Sequence, residues 1–313
     1  MSRPRLPSTV LKSVILALAT TVIVAGCGSD DNDSPAASDD SAGCASATTT
    51  GRTDVNLISI PPAKVAVTDY GTGVRRVPAL TPDLSTPQRV TLVTTSTVAS
   101  SPTDRQSEAI ETPFTARFAC TDRSDLELVT GTPTSPDATL NDQLGGANGT
   151  QAGMAMAPGA APISLRLIPP ESAGEEARLA LEQSLTGALT RWVPLPTEAV
   201  GVGATWRAQR VVYASATVTQ TIEATLTAWT GNRLTITYTA DETPVNSVFA
   251  VPGSADTLTI ARYSFTGSGT VTVDLTRGLP VGGAATFRGA RELVGADPAR
   301  PLVQQTGFTT TWR

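Results

Sequence analysis

The chain has 313 residues, and 23 lysine and arginine residues stand against 28 aspartate and glutamate residues, for a formal net charge of −5. It contains no histidine and only 4% aromatic residues. This composition excludes catalysis by Ser-His-Asp or Cys-His arrangements and zinc sites built on histidine. The sequence also has no basic run, which argues against nucleic acid as a partner.

The N-terminus has the layout of an export signal. Arg3, Arg5 and Lys12 precede an apolar stretch over residues 14–24. That stretch is about eleven residues long, whereas a helix that crosses a bilayer needs about 20 apolar residues. We therefore predict a signal peptide over residues 1–26 rather than a permanent transmembrane anchor.

The signal ends in a short motif, Val24-Ala25-Gly26-Cys27, which resembles the lipobox of bacterial lipoproteins. The resemblance implies cleavage before Cys27 and transfer of a diacylglyceryl group to its thiol. Two or three acyl chains hold a protein on a membrane far better than one. We expect an exported protein on the outer face of the cell membrane, anchored by a lipid on Cys27. The alternative is an ordinary secretory signal with a chance cysteine.

An acidic segment of small residues follows over positions 28–43 and contains five aspartates. Such a composition buries too little apolar surface to offset the entropy lost on ordering. Residues 27–44 are thus predicted to be the lipidated cysteine and a disordered tether. A calcium loop at Asp31, Asn32 and Asp33 is the alternative, but it lacks the glycine and the closing glutamate that such loops need.

Two further cysteines, Cys44 and Cys120, would occupy a compartment that permits disulfides. A bridge between them would join the end of the tether to the first predicted sheet and contribute about 4 kcal/mol in the chain-entropy model. Two buried free thiols are the alternative. A redox role is not indicated, because the Cys-x-x-Cys spacing is absent.

Residues 45–313 are predicted to form one antiparallel β domain. Residues 218–228 alternate apolar and threonine-rich positions, Gly231-Asn232 turns the chain, and residues 234–240 repeat the alternation, as in a hairpin. Similar patterns predict strands at 90–99, 113–120, 126–130, 163–168, 206–214, 258–265, 270–275, 285–294 and 303–312. Residues 131–162, rich in glycine, proline and alanine, are predicted to be a long loop.

One long helix is predicted over about residues 173–192. Ser172 and Glu175 have the spacing of a capping box, and Pro194 follows the helix end. An apolar stripe at helical spacing is formed by Leu181, Leu185, Leu189 and Trp192. This stripe would pack on the sheet or line a ligand groove.

The predicted fold class is mainly β: an antiparallel curved sheet, either a half-barrel or an open sandwich, with this helix packed across it. Three strands in the same order stand on each side of the helix, which adds the hypothesis of a duplicated β unit. The envelope lipoproteins of actinobacteria that carry lipids in a cavity between sheet and helix are similar in outline, although a fold does not fix a function.

Paired carboxylates are the remaining catalytic chemistry. Candidates by residue type are Asp125, Glu127, Asp241, Glu242 and Asp274. Each stands where a turn or a solvent-facing strand position would place an acid anyway. We therefore predict no enzymatic activity, no cofactor and no metal site.

Two segments of the second half resemble an uncharacterised family of exported, mostly actinobacterial proteins. Residues 195–206 are similar to a Pro-x-x-Pro-Val-x-Val-Gly-x-x-Trp stretch, with Ala199 in place of the second proline. Residues 267–280 are similar to a Gly-x-Gly…Asp…Gly-Leu-Pro stretch. The family has no assigned activity, so the resemblance implies export but no chemistry. Abundant alanine, threonine, glycine and valine with only two lysines agree with a high-GC actinobacterial source.

Two functions fit these features. The first is a non-enzymatic envelope lipoprotein that binds or carries an apolar envelope molecule, a lipid or glycolipid, between sheet and helix. The second is an envelope scaffold or accessory subunit that acts through protein–protein contacts, suggested by the edge strands and the long loop.

Overall fold

The computed structural model describes residues 43–101 and 103–313. Contacts group Ser41–Arg313 into one compact unit. The predicted signal peptide, Cys27 and most of the predicted tether lie outside the described residues. Within the described part of the chain, no helix has the length and apolar character needed to cross a bilayer.

Strands dominate the fold, and the prediction of a mainly β, antiparallel protein is confirmed. The strands are β1 (Asn56–Ser59), β2 (Lys64–Asp69), β3 (Thr72–Arg76), β4 (Gln88–Ser101), β5 (Asp104–Phe118), β6 (Asp125–Thr130), β7 (Gln151–Ala157), β8 (Ala161–Ile168), β9 (Val200–Val202), β10 (Thr205–Tyr213), β11 (Ala216–Thr230), β12 (Arg233–Ala250), β13 (Thr257–Asp274), β14 (Gly282–Val294) and β15 (Leu302–Trp312). Thirteen form one open sheet in the order β1-β8-β7-β6-β5-β4-β15-β14-β13-β12-β11-β10-β2, and β3 pairs with β9.

The prediction of one long helix was wrong. The described residues contain two short α-helices, α1 (Ala138–Leu144) and α2 (Glu175–Leu189). The capping box does not form, because Gly174 takes the N-cap position of α2 and the Ser172 hydroxyl donates to the Gly146 carbonyl instead. The predicted loop over residues 131–162 was also wrong, since it contains α1 and β7.

The sheet curves so strongly that four residues join its two edges. β1 pairs with β8 at one edge and β2 pairs with β10 at the other, yet only residues 60–63 separate β1 from β2. The five steps from Ser59 to Lys64 span at most about 18 Å. In a flat sheet, the intervals between thirteen strands would separate the edges by about 58 Å. The edges therefore approach each other here, and the sheet encloses an interior.

The helix α2 lies in this interior. Leu181, Leu185 and Leu189 pack in one buried cluster with side chains of β4–β8. A second cluster around Trp206 occupies the half of the interior that β10–β15 enclose. The segment after α2 ties the halves together, because Trp192 Nε1 donates to the Ala160 carbonyl at 2.8 Å and Trp206 Nε1 donates to the Pro194 carbonyl at 2.9 Å.

The N-terminal end of the described chain is fastened to the end of β5. Cys44 and Cys120 form a disulfide, with their sulfurs 2.06 Å apart. The Ala45 amide donates to the Phe118 carbonyl, and the Cys120 amide donates to the Ala45 carbonyl, each at 2.9 Å. Residues 43–45 are thus held at this end of the sheet by covalent and hydrogen bonds together.

A buried ionic cluster lies on the outer face of the sheet. Alternation along β6 places Asp125 and Glu127 opposite the core leucines of the same strand. Arg166 donates to both carboxylates, and the Thr49 amide and hydroxyl donate to Glu127 at 3.0 Å. Gly153 stands between Glu127 and Arg166 in the strand register. A Cβ at Gly153 would overlap the Thr49 hydroxyl and the Arg166 guanidinium, so only glycine leaves room for this contact.

We predict that Arg166→Met lowers the free energy of unfolding by about 3–5 kcal/mol, because it leaves two buried carboxylates without their cation. Arg207→Met is the matched control, since it removes only an exposed pair with Glu223 and should cost less than about 1 kcal/mol. Urea denaturation with the disulfide intact measures both changes. Equal losses in the two variants would contradict this account of the cluster.

Candidate ligand-binding cavity

A cavity of about 460 Å³ lies between α2 and the inner face of the sheet. Its helix wall is formed by Glu182, Gln183, Ser184, Thr186, Gly187, Thr190 and Arg191. Its sheet wall is formed by β4, β5 and β10–β15 and includes Val218, Phe265 and Phe308. Tyr213, whose side chain is 76% exposed, also lines the cavity, so the cavity is open to solvent at that point. Its volume falls within the range of about 300–1,000 Å³ typical of small-molecule sites.

The cavity exists because α2 turns its apolar and polar sides toward different halves of the sheet. Leu181, Leu185 and Leu189 of the predicted stripe are at most 4% exposed and lie in the core with β4–β8. Trp192, the fourth predicted groove residue, lines a separate cavity of about 30 Å³. The large cavity is therefore lined by the polar side of the helix and not by its apolar stripe.

Gly187 lets α2 approach the sheet beside the cavity. A Cβ at this position would lie 2.8 Å from the ring of Phe308 on β15. On the neighbouring turn of the helix, the Ser184 and Thr94 hydroxyls lie 2.8 Å apart and link α2 to β4. These two contacts fix the distance between helix and sheet at one end of the cavity.

Arg191, just past the last turn of α2, lines both the large and the small cavity. Its Cζ lies 5.3, 5.1 and 4.4 Å from the ring centroids of Phe265, Phe287 and Phe308. Its Nη1 donates to the Gly187 carbonyl at 2.9 Å. The guanidinium is thus held by aromatic faces and by the C-terminal end of the helix, where a cation is favourable.

No carboxylate among the described residues forms an ion pair with Arg191. Burial lowers the pKa of Arg191, although the negative charge of Glu242 acts in the opposite direction. The Glu242 carboxylate has donors of its own: the Tyr263 hydroxyl at 2.8 Å and the Gln220 amide nitrogen at 3.2 Å. Arg191 is partly buried, and withdrawing a cation from water without a direct counter-ion is costly.

Several unpaired buried polar atoms belong to residues that line the two cavities. Five buried side-chain atoms of the described residues have no hydrogen-bond partner. Thr186 Oγ1 and Arg191 Nε belong to residues that line the large cavity, and Thr310 Oγ1 belongs to one that lines the small cavity. Gln220 Oε1 belongs to the amide that binds Glu242, and only Thr112 Oγ1 on β5 stands apart from this group. Folded proteins leave few such atoms unsatisfied, and three of these five belong to residues that line the two cavities.

Of the five candidate carboxylates, the structure joins Asp125 and Glu127 through Arg166, where both are buried rather than solvent-facing, and it does not bring them into the cavity. Asp125 and Glu127 belong to the outer-face cluster with Arg166, and burial raises the pKa of Glu127. Asp274 accepts hydrogen bonds from Thr276 at a turn, and Asp241 lines a depression away from the cavity. Glu242 alone among the five lines the cavity.

Sequence reasoning missed Arg191 and the aromatic residues of β13–β15 that surround it. One signal was present: an arginine directly before Trp192, at the end of an apolar stripe, places a charge next to a residue expected to be buried. No family model and no curated protein matches this chain.

We predict that Arg191→Met keeps the free energy of unfolding within about 1 kcal/mol of the natural protein or raises it. Loss of an unpaired buried charge offsets loss of the bond to Gly187, and the methionine thioether retains favourable contact with the three rings. Thermal and urea unfolding measure the change. A loss of about 3 kcal/mol or more, as expected for Arg166→Met, would instead assign Arg191 to the stability of the fold.

Proposed function

We propose that this chain is an exported, lipid-anchored envelope protein that binds a lipid or glycolipid without transforming it. The observation that carries the proposal is the cavity of about 460 Å³ between α2 and the sheet. Its walls include the apolar surfaces of Val218, Phe265 and Phe308 as well as several hydroxyl and charged side chains. The walls thus offer apolar surface to a chain and polar groups to a head, so a molecule with both parts fits the cavity.

We also propose that the sheet has the shape of a half-barrel rather than an open sandwich. Both halves of the sheet contact α2 or the segment that follows it, and residues 60–63 join the two edges. An interior enclosed in this way shields an apolar chain from water on most sides. The superposition of two duplicated units stays a prediction.

The disulfide and the cavity lie at different ends of β5. The disulfide at Cys120 follows the last residue of this strand, Phe118. Glu108, which lines the cavity, precedes Phe118 by ten residues, or about 34 Å along the strand. Attachment of the chain at Cys44 therefore leaves the cavity free for a ligand, which agrees with a carrier held by a lipid on Cys27.

Native mass spectrometry of residues 41–313, produced in a lipid-rich actinobacterial host, tests the carrier function. This unit contains the described core clusters, the disulfide and the whole cavity, so we expect it to fold on its own and to melt cooperatively. The expected spectrum shows a discrete adduct with the mass of a lipid. A spectrum of the unliganded chain alone, from protein that melts cooperatively, would count against the proposal.

Filling the cavity should remove the adduct. Ser96 lies on the cavity wall, whereas Thr95, its neighbour in β4, lies on the opposite face of the strand. We predict that Ser96→Trp reduces the lipid-bound fraction at least about ten-fold, and that Thr95→Trp leaves it unchanged. Equal lipid occupancy in the two variants would place the ligand outside this cavity.

The lipid anchor has its own test in the mass of the protein extracted from cell membranes. The expected mass corresponds to a chain that begins at Cys27 and carries acyl chains, and Cys27→Ser should abolish the acyl mass. A mature chain without acyl groups would contradict the anchoring, whatever the cavity binds.

A partner-binding role is the second candidate. Val245, Val248, Leu302 and Val303 are exposed by 40% or more. The strand register places Val248 and Leu302 at the same end of the sheet, across β13 and β14. Crosslinking in cells through this end should capture one reproducible envelope protein if it is a docking surface. Failure to capture any such protein would remove this role.

A further inference from the structure

Two arginines and three glutamates line the cavity, and most of these charged groups already have partners. Arg291 Nε donates to the Gln304 side-chain oxygen at 2.8 Å, and its guanidinium lies 4.3 Å from the ring of Phe249. Glu182 accepts a hydrogen bond from the Asn56 amide at 2.7 Å, as Glu242 does from Tyr263. Burial raises the pKa of Glu108.

Two residues that line the cavity, one on α2 and one just after it, keep buried donors without acceptors. The hydroxyl of Thr186 and the Nε–H of Arg191 are buried without acceptors. The carbonyls of the last turn of the helix are already bonded, that of Thr186 by Thr190 and that of Gly187 by Arg191. Neither cavity arginine forms an ion pair with a carboxylate of the described residues, but only Arg191 also keeps a buried N–H without an acceptor, so an oxygen acceptor is what this part of the cavity lacks.

We propose that the ligand is a single-chain amphiphile with an anionic head, a carboxylate or a phosphate, whose oxygens bind Arg191 while its chain lies along Phe265 and Phe308. This inference rests on the proposed carrier function and specifies its ligand. Hydrogen bonds to a guanidinium are stronger when the acceptor is charged, and more so where water is excluded. Phe265 and Phe308 both contact Arg191 and line the cavity. A ligand whose head binds Arg191 therefore places its chain against apolar surface.

The test compares three probes with the same ten-carbon chain: decanoate, decyl phosphate and decanol. Binding to residues 41–313 is measured at pH 8 through the total tryptophan fluorescence, to which Trp192 and Trp312 of the adjoining small cavity contribute. We expect both anionic probes to bind at least about ten-fold more tightly than decanol, as one charge-assisted hydrogen bond implies. Arg191→Gln should abolish this preference but leave decanol binding measurable.

Three further variants make the result specific. Arg191→Lys keeps the charge and should restore part of the preference. Arg291→Gln should retain a preference for the anionic probes, and Arg207→Gln, which alters an exposed arginine outside the cavity, should behave as the natural protein. Cooperative melting of each variant shows that it is folded.

Equal affinity for decanol and decanoate in the natural protein would overturn the anionic head while leaving a carrier of neutral molecules. Loss of the preference in Arg291→Gln but not in Arg191→Gln would overturn the assignment to Arg191. Failure of every probe to bind, together with the absence of a lipid adduct, would overturn the proposed function itself.

Discussion

The short span between the two edge strands determines the shape on which the rest of the structure depends. Pro61 and Pro62 have no amide hydrogen, so the chain cannot continue a ladder there and must leave β1 before it reaches β2. The bridge of residues 60–63 brings the opposite edges of a thirteen-stranded sheet close together. A sheet bent in this way encloses more space than its own side chains fill, and α2 enters that space.

The packing of α2 explains both the stability of the interior and the cavity. Its leucines complete the core of β4–β8, while its polar side faces β10–β15 across open volume. Arg191 belongs to that polar side and retains an unpaired donor among aromatic rings. Interior charges of this kind reduce stability unless they are compensated. A bound anion would pair with Arg191 and offset this loss of stability. The proposed function therefore explains why an unfavourable residue stands here.

Alternation along the chain predicted the long strands, because threonine-rich outer positions and apolar inner positions repeat clearly from β10 to β15. It missed β1, β2, β3, β7 and β9, which are short and lie near proline or glycine. It divided β13 at the glycines near its centre, although the strand runs through them. Glycine stands at position 267 because a Cβ there would overlap the ring of Phe287. These features depend on neighbouring strands, which a local pattern does not contain.

The candidate site was less predictable than the fold. Helical periodicity separated an apolar side of α2 from a polar side, but it did not show which side would face open space. That choice depends on long-range pairing, such as β4 with β15 and β1 with β8, which determines where the sheet bends. The sequence indicated that Leu181 and its stripe would pack on the sheet or line a groove; the three leucines pack in the core, and Thr186 and Arg191 line the cavity.

A crystal structure of residues 41–313, purified from a lipid-rich host without delipidation, tests the central claim most directly. The account predicts elongated density between α2 and β13–β15, with its polar end within hydrogen-bond distance of Arg191 Nε. A cavity that holds only ordered water, or a helix packed against the sheet without any cavity, would contradict it.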